Sequence, residues 1–286
     1  MVKIAAYIKI IRLKNAAMTA VAVALGFWVS RSPYPLHGLA LCMLAAICAV
    51  GFGNIVNDIH DEESDKTNHP DRPLPKGEIS RRAAWIWALI LAACALACGF
   101  SVSTAHGIGC LVPLALLALY AFALKGTPLA GNIIVSLMVA YAILYGALGA
   151  PQLFHLFMPA FLAFLLNLCR EIVKDLQDKA GDALHGVITT ASLPAAILTG
   201  MLFWFGIVYV LNMFVPFLMG HFGIAYLAIC IFVLIPLHAS WFIKLFKKPD
   251  SKAYAKISSL IKLEMLGGLA ALAVDRLIAF QDSFSL

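Results

Sequence analysis

Apolar residues run along this chain in long unbroken stretches, set apart by short polar segments. Nine such stretches stand out, at roughly 13–31, 36–57, 83–103, 107–124, 130–149, 154–173, 190–214, 222–243 and 258–280. A bilayer core of ~30 Å is crossed by ~20 helical residues, so each run is long enough to span. The runs are continuous, unlike the ten-residue alternation of barrel strands. They predict an all-α integral membrane protein, with nine transmembrane helices bundled in a single polytopic domain over residues 1–286. Residues 1–14 precede the first run as a basic amphipathic segment, an expected interfacial helix. The first run is too long for a cleavable signal and continues into a polytopic pattern.

Composition agrees with the pattern. The chain is 62% hydrophobic and 13% charged, with a mean hydropathy of +0.91, whereas globular domains carry about 25% charged residues. The seven cysteines all fall inside apolar runs without a CxxC metal pair, so they are expected to pack as small core residues. Lysine and arginine set the orientation. With the N-terminus inside, 19 of the 21 basic residues fall on inner segments, and only Arg31 and Arg276 fall outside. The expected placement is the cell (inner) membrane, N-terminus and polar motif loops cytoplasmic, C-terminus outside. The net charge of +6 is mostly this bias; it indicates no nucleic-acid partner, and no obligate protein partner is evident.

Two polar interruptions carry the chemistry. The first, GNIVNDIHDEESD from Gly53, is followed by a loop ending DRPLPKG at Gly77. Seven of the fifteen acidic residues lie between Asp58 and Glu78. Asn54, Asp58, Asp61 and Asp65 are spaced i, i+4, i+7, i+11, which puts them on one stripe if the preceding helix continues. Carboxylates so placed repel by up to ~4 kcal/mol per close pair, so a positive group is expected among them. The second, REIVKDLQDKAGD from Arg170, overlays the first on a shift of 117 residues. Asp58/Asp175, Asp61/Asp178 and Asp65/Asp182 coincide, as do Ile55/Ile172 and Val56/Val173, and Glu171 takes the place of Asn54. Four expected spans separate the motifs, which predicts a parallel pseudo-repeat with motifs after helices two and six, both copies on one membrane face.

Other polar residues gather at that face. Arg12 and Asn15 lie at the mouth of the first run; Pro70, Pro73 and Pro75 stiffen the loop holding Arg72 and Lys76, before a helix expected to be capped at Ser80. Tyr120, Lys125 and Asn132 bracket a Gly-Thr-Pro turn, and Tyr141 and Tyr145 stand one turn apart on the fifth run. Aromatic stripes usually pack; near acidic sites they can also shield a carbocation.

Facing carboxylates hold hard divalent cations through oxygen, and Mg2+ shares its octahedron among one or two carboxylates, waters and substrate phosphates. The expected arrangement is a diphosphate bridged by Mg2+ to Asp58, Asp61, Asp65, Asp175, Asp178 and Asp182, with Arg72, Lys76, Lys125 and Lys174 neutralising the remainder. Such a site ionises an allylic C–O bond by stabilising the leaving diphosphate, and an apolar chamber keeps water away. A cation-coupled transporter would instead bury ionisable groups at mid-bilayer, and a CDP-alcohol phosphotransferase would carry a DGxxAR-type run, absent here.

The quoted motifs, NDxxDxxxD at Asn57, Asp58, Asp61 and Asp65, then DRPLPKG, then KDxxDxxGD at Lys174, Asp175, Asp178, Gly181 and Asp182, resemble the UbiA-type intramembrane prenyltransferases over nearly the whole chain. The resemblance implies Mg2+-dependent transfer of a prenyl group from its diphosphate to a membrane-embedded acceptor lipid. Within the family, LKGTPLAGN, REIVKDLQDKAGD and IRLKN look most like the digeranylgeranylglyceryl phosphate synthase branch, which prenylates the hydroxyl of geranylgeranylglyceryl phosphate; IRLKN departs from the IRPxN often found there. Branches acting on aromatic quinone precursors or tetrapyrroles share the aspartate motifs. An acceptor with its own phosphate needs further cations, for which Arg12 and Lys125, on runs away from the motifs, are the candidates.

Overall fold

The computed structural model describes residues 4–124, 127–184, 188–247 and 249–282, and among them every regular element is helical. Among the described residues, seven helical segments are long and apolar enough to cross a membrane: Leu36–His60, Arg81–Val102, Thr104–Leu124, Leu153–Lys179, Ala195–Leu218, Ile224–Leu245 and Ser251–Ala279. An eighth exists if α1 (Ile4–Ile11) and α2 (Leu13–Val29), bent by 53° to one another, act as one span. The fifth expected run is α7 (Ala130–Gly146), whose 17 residues reach about 25 Å, short of a ~30 Å core. A turn with Gly149 at φ +74° follows it and ends the run early. The last helix, α13 (Ser251–Asp282), begins before the expected run and is 32 residues long.

The chain divides into two compact units, Met1–Lys125 with Tyr145–Ala150, and Gly126–Leu144 with Pro151–Leu286. In the first unit α3 (Leu36–His60) packs against α1, α2, α5 (Arg81–Val102) and α6 (Thr104–Leu119). Small residues make the approach close, Ala49 on α3 and Ala84, Ala88 and Ala95 on α5 being buried in one cluster with Ile55, Val56 and Ile59. Gly53, directly before the first motif, lets α6 approach here, because a Cβ there would sit 2.7 Å from a methyl of Leu117 and push that side chain aside. Ser80 caps α5 as expected, its hydroxyl accepting from the Ala83 N–H at 3.2 Å. The loop before it is pinned by Leu74 and Ile79, both in the core cluster.

The second unit is built on α8 (Phe157–Leu184), packed against α9 (Ala195–Asn212) and α13. Short α10 (Val215–Leu218), α11 (Ile224–Ile229) and α12 (Ile235–Leu245) complete it. A hydrogen bond from Asn167 to Ser136, 3.1 Å, joins α8 to α7, and both side chains are buried. Glu264 and Asp275 read as charges near span ends in the sequence. Glu264 instead lies mid-helix on α13, fully buried, accepting from the indole N–H of Trp241 at 2.6 Å and lying 3.1 Å from His238 Nδ1. Asp275 accepts from the N–H groups of Gly223 and Tyr226, satisfying free donors at the start of α11.

Candidate functional site

In the first unit the acidic motif straddles a helix break. α3 ends at His60, Asp61 takes a bridge conformation (φ −88°, ψ 1°), and α4 (Glu62–Asn68) restarts at once. The single stripe expected there is therefore interrupted at Asp61, and the acids of α4 sit in its first turn, where the helix dipole favours them. Asp58 and Asp65 are buried at 1% and 3% exposure. The positive groups expected among them are Arg12 and Arg72. Arg12 Nη2 pairs with Asp58 Oδ1, Arg72 Nη1 pairs with Asp65 Oδ2, and Arg72 Nη1 also lies 3.4 Å from Asp58 Oδ1. Two carboxylates and two guanidiniums make a locally neutral group, the condition for burying any of them.

Arg12 reaches Asp58 because α1 and α2 break there. Its backbone is left-handed, φ 56° and ψ 60°, a conformation that costs a non-glycine residue about 1–3 kcal/mol. Asn54 secures the break by donating from Nδ2 to the Ile11 carbonyl at 2.8 Å. The placement of Arg12 away from the motifs is thus corrected: it belongs to the first aspartate group. Asn57 donates to Asp61 Oδ2 at 3.0 Å. Lys76, expected beside the motif acids, is exposed and pairs with Asp71 at 3.5 Å, because Arg72 already fills the space between Asp58 and Asp65. Asn15 is exposed, and Tyr120 is half-buried at the start of a π-helical turn, Tyr120–Leu124. Tyr145 is buried, 3.1 Å from Cys110 Sγ and edge-on to His106.

In the second unit α8 runs unbroken through the motif, so Glu171, Asp175 and Asp178 do share a stripe. Glu171 accepts from Arg170 at 2.7 Å and Lys174 at 2.9 Å; a cation expected at the diphosphate is here engaged by its neighbour. Asp175 Oδ2 accepts from Asn132 Nδ2 at 3.0 Å and from the Thr190 N–H at 3.3 Å. The Thr190 hydroxyl donates to Asn132 Oδ1 at 3.0 Å and accepts from the Leu129 N–H at 2.9 Å. Thr190 was not singled out by the sequence, where no motif or spacing marks it. Asp178 is exposed and Tyr141 half-buried. Lys125 and the Asp182 side chain lie outside the described residues.

Among the described residues no three His, Cys, Asp or Glu side chains converge as a ready-made metal cage. The donors suit Mg2+ nonetheless, since that ion takes only one or two carboxylates and completes its octahedron with water and phosphate oxygens. Asp61 in the first unit, half-buried, and Asp178 in the second, exposed, can each supply such a carboxylate to a metal, while Asp58 and Asp65 are charge-balanced by arginine.

A match to the UbiA prenyltransferase family spans residues 17–263. The chain is 37% identical over 234 residues to a digeranylgeranylglyceryl phosphate synthase of Methanopyrus kandleri, covering 79% of this chain and 83% of that one. Another, from Korarchaeum cryptofilum, is 34% identical over 278 residues, covering 96% and 98%. A solved structure of a digeranylgeranylglyceryl phosphate synthase superposes with a TM-score of 0.82 at 26% identity, over 96% of this chain and 99% of that chain. A UbiA homologue from Archaeoglobus fulgidus, solved with GPP and Mg2+, shares the fold at a TM-score of 0.68 and 18% identity, over 94% and 99%. With both aspartate motifs in place on an all-helical membrane scaffold, the chain belongs to the UbiA prenyltransferase family.

Proposed function

We propose that this integral membrane prenyltransferase transfers a geranylgeranyl group from its diphosphate to the free hydroxyl of geranylgeranylglyceryl phosphate, a step of ether-lipid synthesis. The observation that carries the reading is the 34% identity to the Korarchaeum cryptofilum synthase across 96% of the chain. Family membership sets the transporter alternative aside. The finer architecture is part of the proposal: a single domain of nine spans in the inner membrane, N-terminus in and C-terminus out, with the motifs as a parallel pseudo-repeat.

The residues take the following roles in this reading. The motif carboxylates, Asp61 and Asp178 foremost, hold Mg2+, which when bound neutralises charge on the departing diphosphate. Arg72 and Arg12 offer guanidiniums suited to phosphate oxygens, and both already stand at motif acids. Asn132 and Thr190 fix the orientation of Asp175. Lys125 remains the candidate for the acceptor's own phosphate. Tyr120 and Tyr141 are candidates for shielding the prenyl cation.

The test is a turnover assay on membranes containing the protein, with labelled geranylgeranyl diphosphate and a panel of acceptors. Geranylgeranylglyceryl phosphate should be prenylated and its dephosphorylated form poorly so. Turnover of a hydroxybenzoate, naphthoate or chlorophyllide without turnover of the glyceryl phosphate would move the assignment to the aromatic and tetrapyrrole branches.

A further inference from the structure

The second motif opens with Arg170, Glu171 and Lys174, which sets two cations one turn apart on α8 with an acid between them. Glu171 divides its carboxylate, Oε1 accepting from Arg170 Nη1 at 2.7 Å and Oε2 from Lys174 Nζ at 2.9 Å. A bond through Nη1 leaves the side-on edge of the Arg170 guanidinium, Nε with Nη2, unused. The side chain is 24% exposed, yet its Nε is shut off from solvent and has no acceptor among the described residues. The other buried side-chain nitrogens without a partner there belong to His106, His221 and His238, and a neutral imidazole always has one nitrogen that donates nothing. Arginine has no such state, because its Nε keeps a proton and a share of the positive charge. A buried donor of that kind is costly to leave unanswered. Glu171 therefore holds Arg170 in a pose that a better acceptor relieves.

Positive charge at this membrane face follows from orientation alone; a dry, unpaired guanidinium edge does not. Position narrows what it is for. Arg170 precedes the candidate metal carboxylate Asp178 by eight residues, a rise of about 12 Å along α8. Side chains lean toward the N-terminal end of their helix, here away from Asp178. Transfer in line sets the moving carbon between the departing diphosphate and the attacking hydroxyl. A phosphate carried by the acceptor then stands on the far side of that carbon from the diphosphate. We propose, resting on the acceptor reading above, that the side-on edge of Arg170 turns from Glu171 to bind the phosphate monoester of the acceptor. The exchange orphans no charge, because Glu171 keeps Lys174. A phosphate monoester carries about 1.5–2 negative charges, more than Lys125 alone answers. Arginine also meets two phosphate oxygens at once, where lysine offers a point charge.

The test separates this subsite from the reading it rests on. Parent and variants, purified in detergent with Mg2+ supplied, are assayed with labelled geranylgeranyl diphosphate against geranylgeranylglyceryl phosphate and its dephosphorylated form. Arg170→Ala should raise KM for the phosphorylated acceptor about ten- to a hundredfold and leave KM for the prenyl diphosphate unchanged. Turnover of the dephosphorylated acceptor, poor in the parent, should fall no further. Arg170→Lys keeps a cation for Glu171 and loses the fork, so it should recover only part of the loss. In a chain already carrying Glu171→Gln, where no resting pair exists, Arg170→Ala should raise the acceptor KM at least as much. No added rise in that chain means that Arg170 acts only through Glu171, and it overturns the proposal. Equal rises for both substrates overturn it as well, placing Arg170 at the diphosphate. A parent that does not turn over the glyceryl phosphate fails the acceptor reading itself, and the subsite with it.

Discussion

The arginine pairing in the first unit makes a quantitative claim on stability. Removing Arg72 leaves Asp65, 3% exposed, with its guanidinium partner gone, while Asp58 keeps Arg12. Breaking a buried pair by deleting one member costs about 3–5 kcal/mol. The Arg72 side chain is 24% exposed, so water replaces part of what is lost, and the expected cost of Arg72→Ala falls to about 2–3 kcal/mol. That is roughly a thirty- to hundredfold change in the folded-to-unfolded ratio. Asp65→Asn in the same chain removes the orphaned charge and should restore at least about 1.5 kcal/mol, an interaction energy within the range for residues in contact. Equilibrium unfolding in mixed micelles of dodecyl maltoside and sodium dodecyl sulfate reads both quantities. Trp85 and Trp87, packed on the core of this unit, serve as fluorescence reporters. If Arg72→Ala unfolds within about 0.5 kcal/mol of the parent, or if Asp65→Asn deepens the loss, the two charges do not depend on one another and the reasoning fails.

The remaining predictions concern the reaction and the orientation. Asp61→Ala and Asp178→Ala should each lower turnover about a hundredfold or more with the protein still folded, and EDTA should do the same reversibly; full turnover without divalent metal would refute the Mg2+ role. Asn132→Ala removes a bond to an ionised Asp175, worth about 1.5–3 kcal/mol, and should reduce kcat about ten- to a hundredfold; an unchanged kcat would count against its positioning role. Lys125→Ala should raise KM for the glyceryl phosphate acceptor more than for the prenyl diphosphate, and equal increases would place Lys125 at the diphosphate. Cysteines introduced at Ser64 and Ala183 should resist an impermeant label added to intact cells while one at Ser32 reacts; labelling of all three would overturn the N-in orientation.

The sequence by itself determined the class of this protein, because apolar runs of span length leave a helical membrane protein as the physical outcome. It also determined that carboxylates gather at two shared registers, from the identities across the two motifs, and that cations must accompany them, since charge repulsion needs no coordinates. It could not determine which cations. Arg12 is 46 positions from Asp58, and the two meet only because a left-handed residue breaks the first helix and Asn54 binds the carbonyl exposed there. Lys76 is closer to Asp58 in sequence than Arg12 is, yet it pairs with Asp71. Asn132 carried a sequence signal and Thr190 none, yet both bond Asp175, because hydrogen bonding depends on which backbone and side-chain groups packing brings within about 3 Å. The same holds for Glu264. An isolated acid in an apolar run reads as lying near a span end, and only the packing of α12 against α13 supplies the Trp241 and His238 groups that let it stay buried.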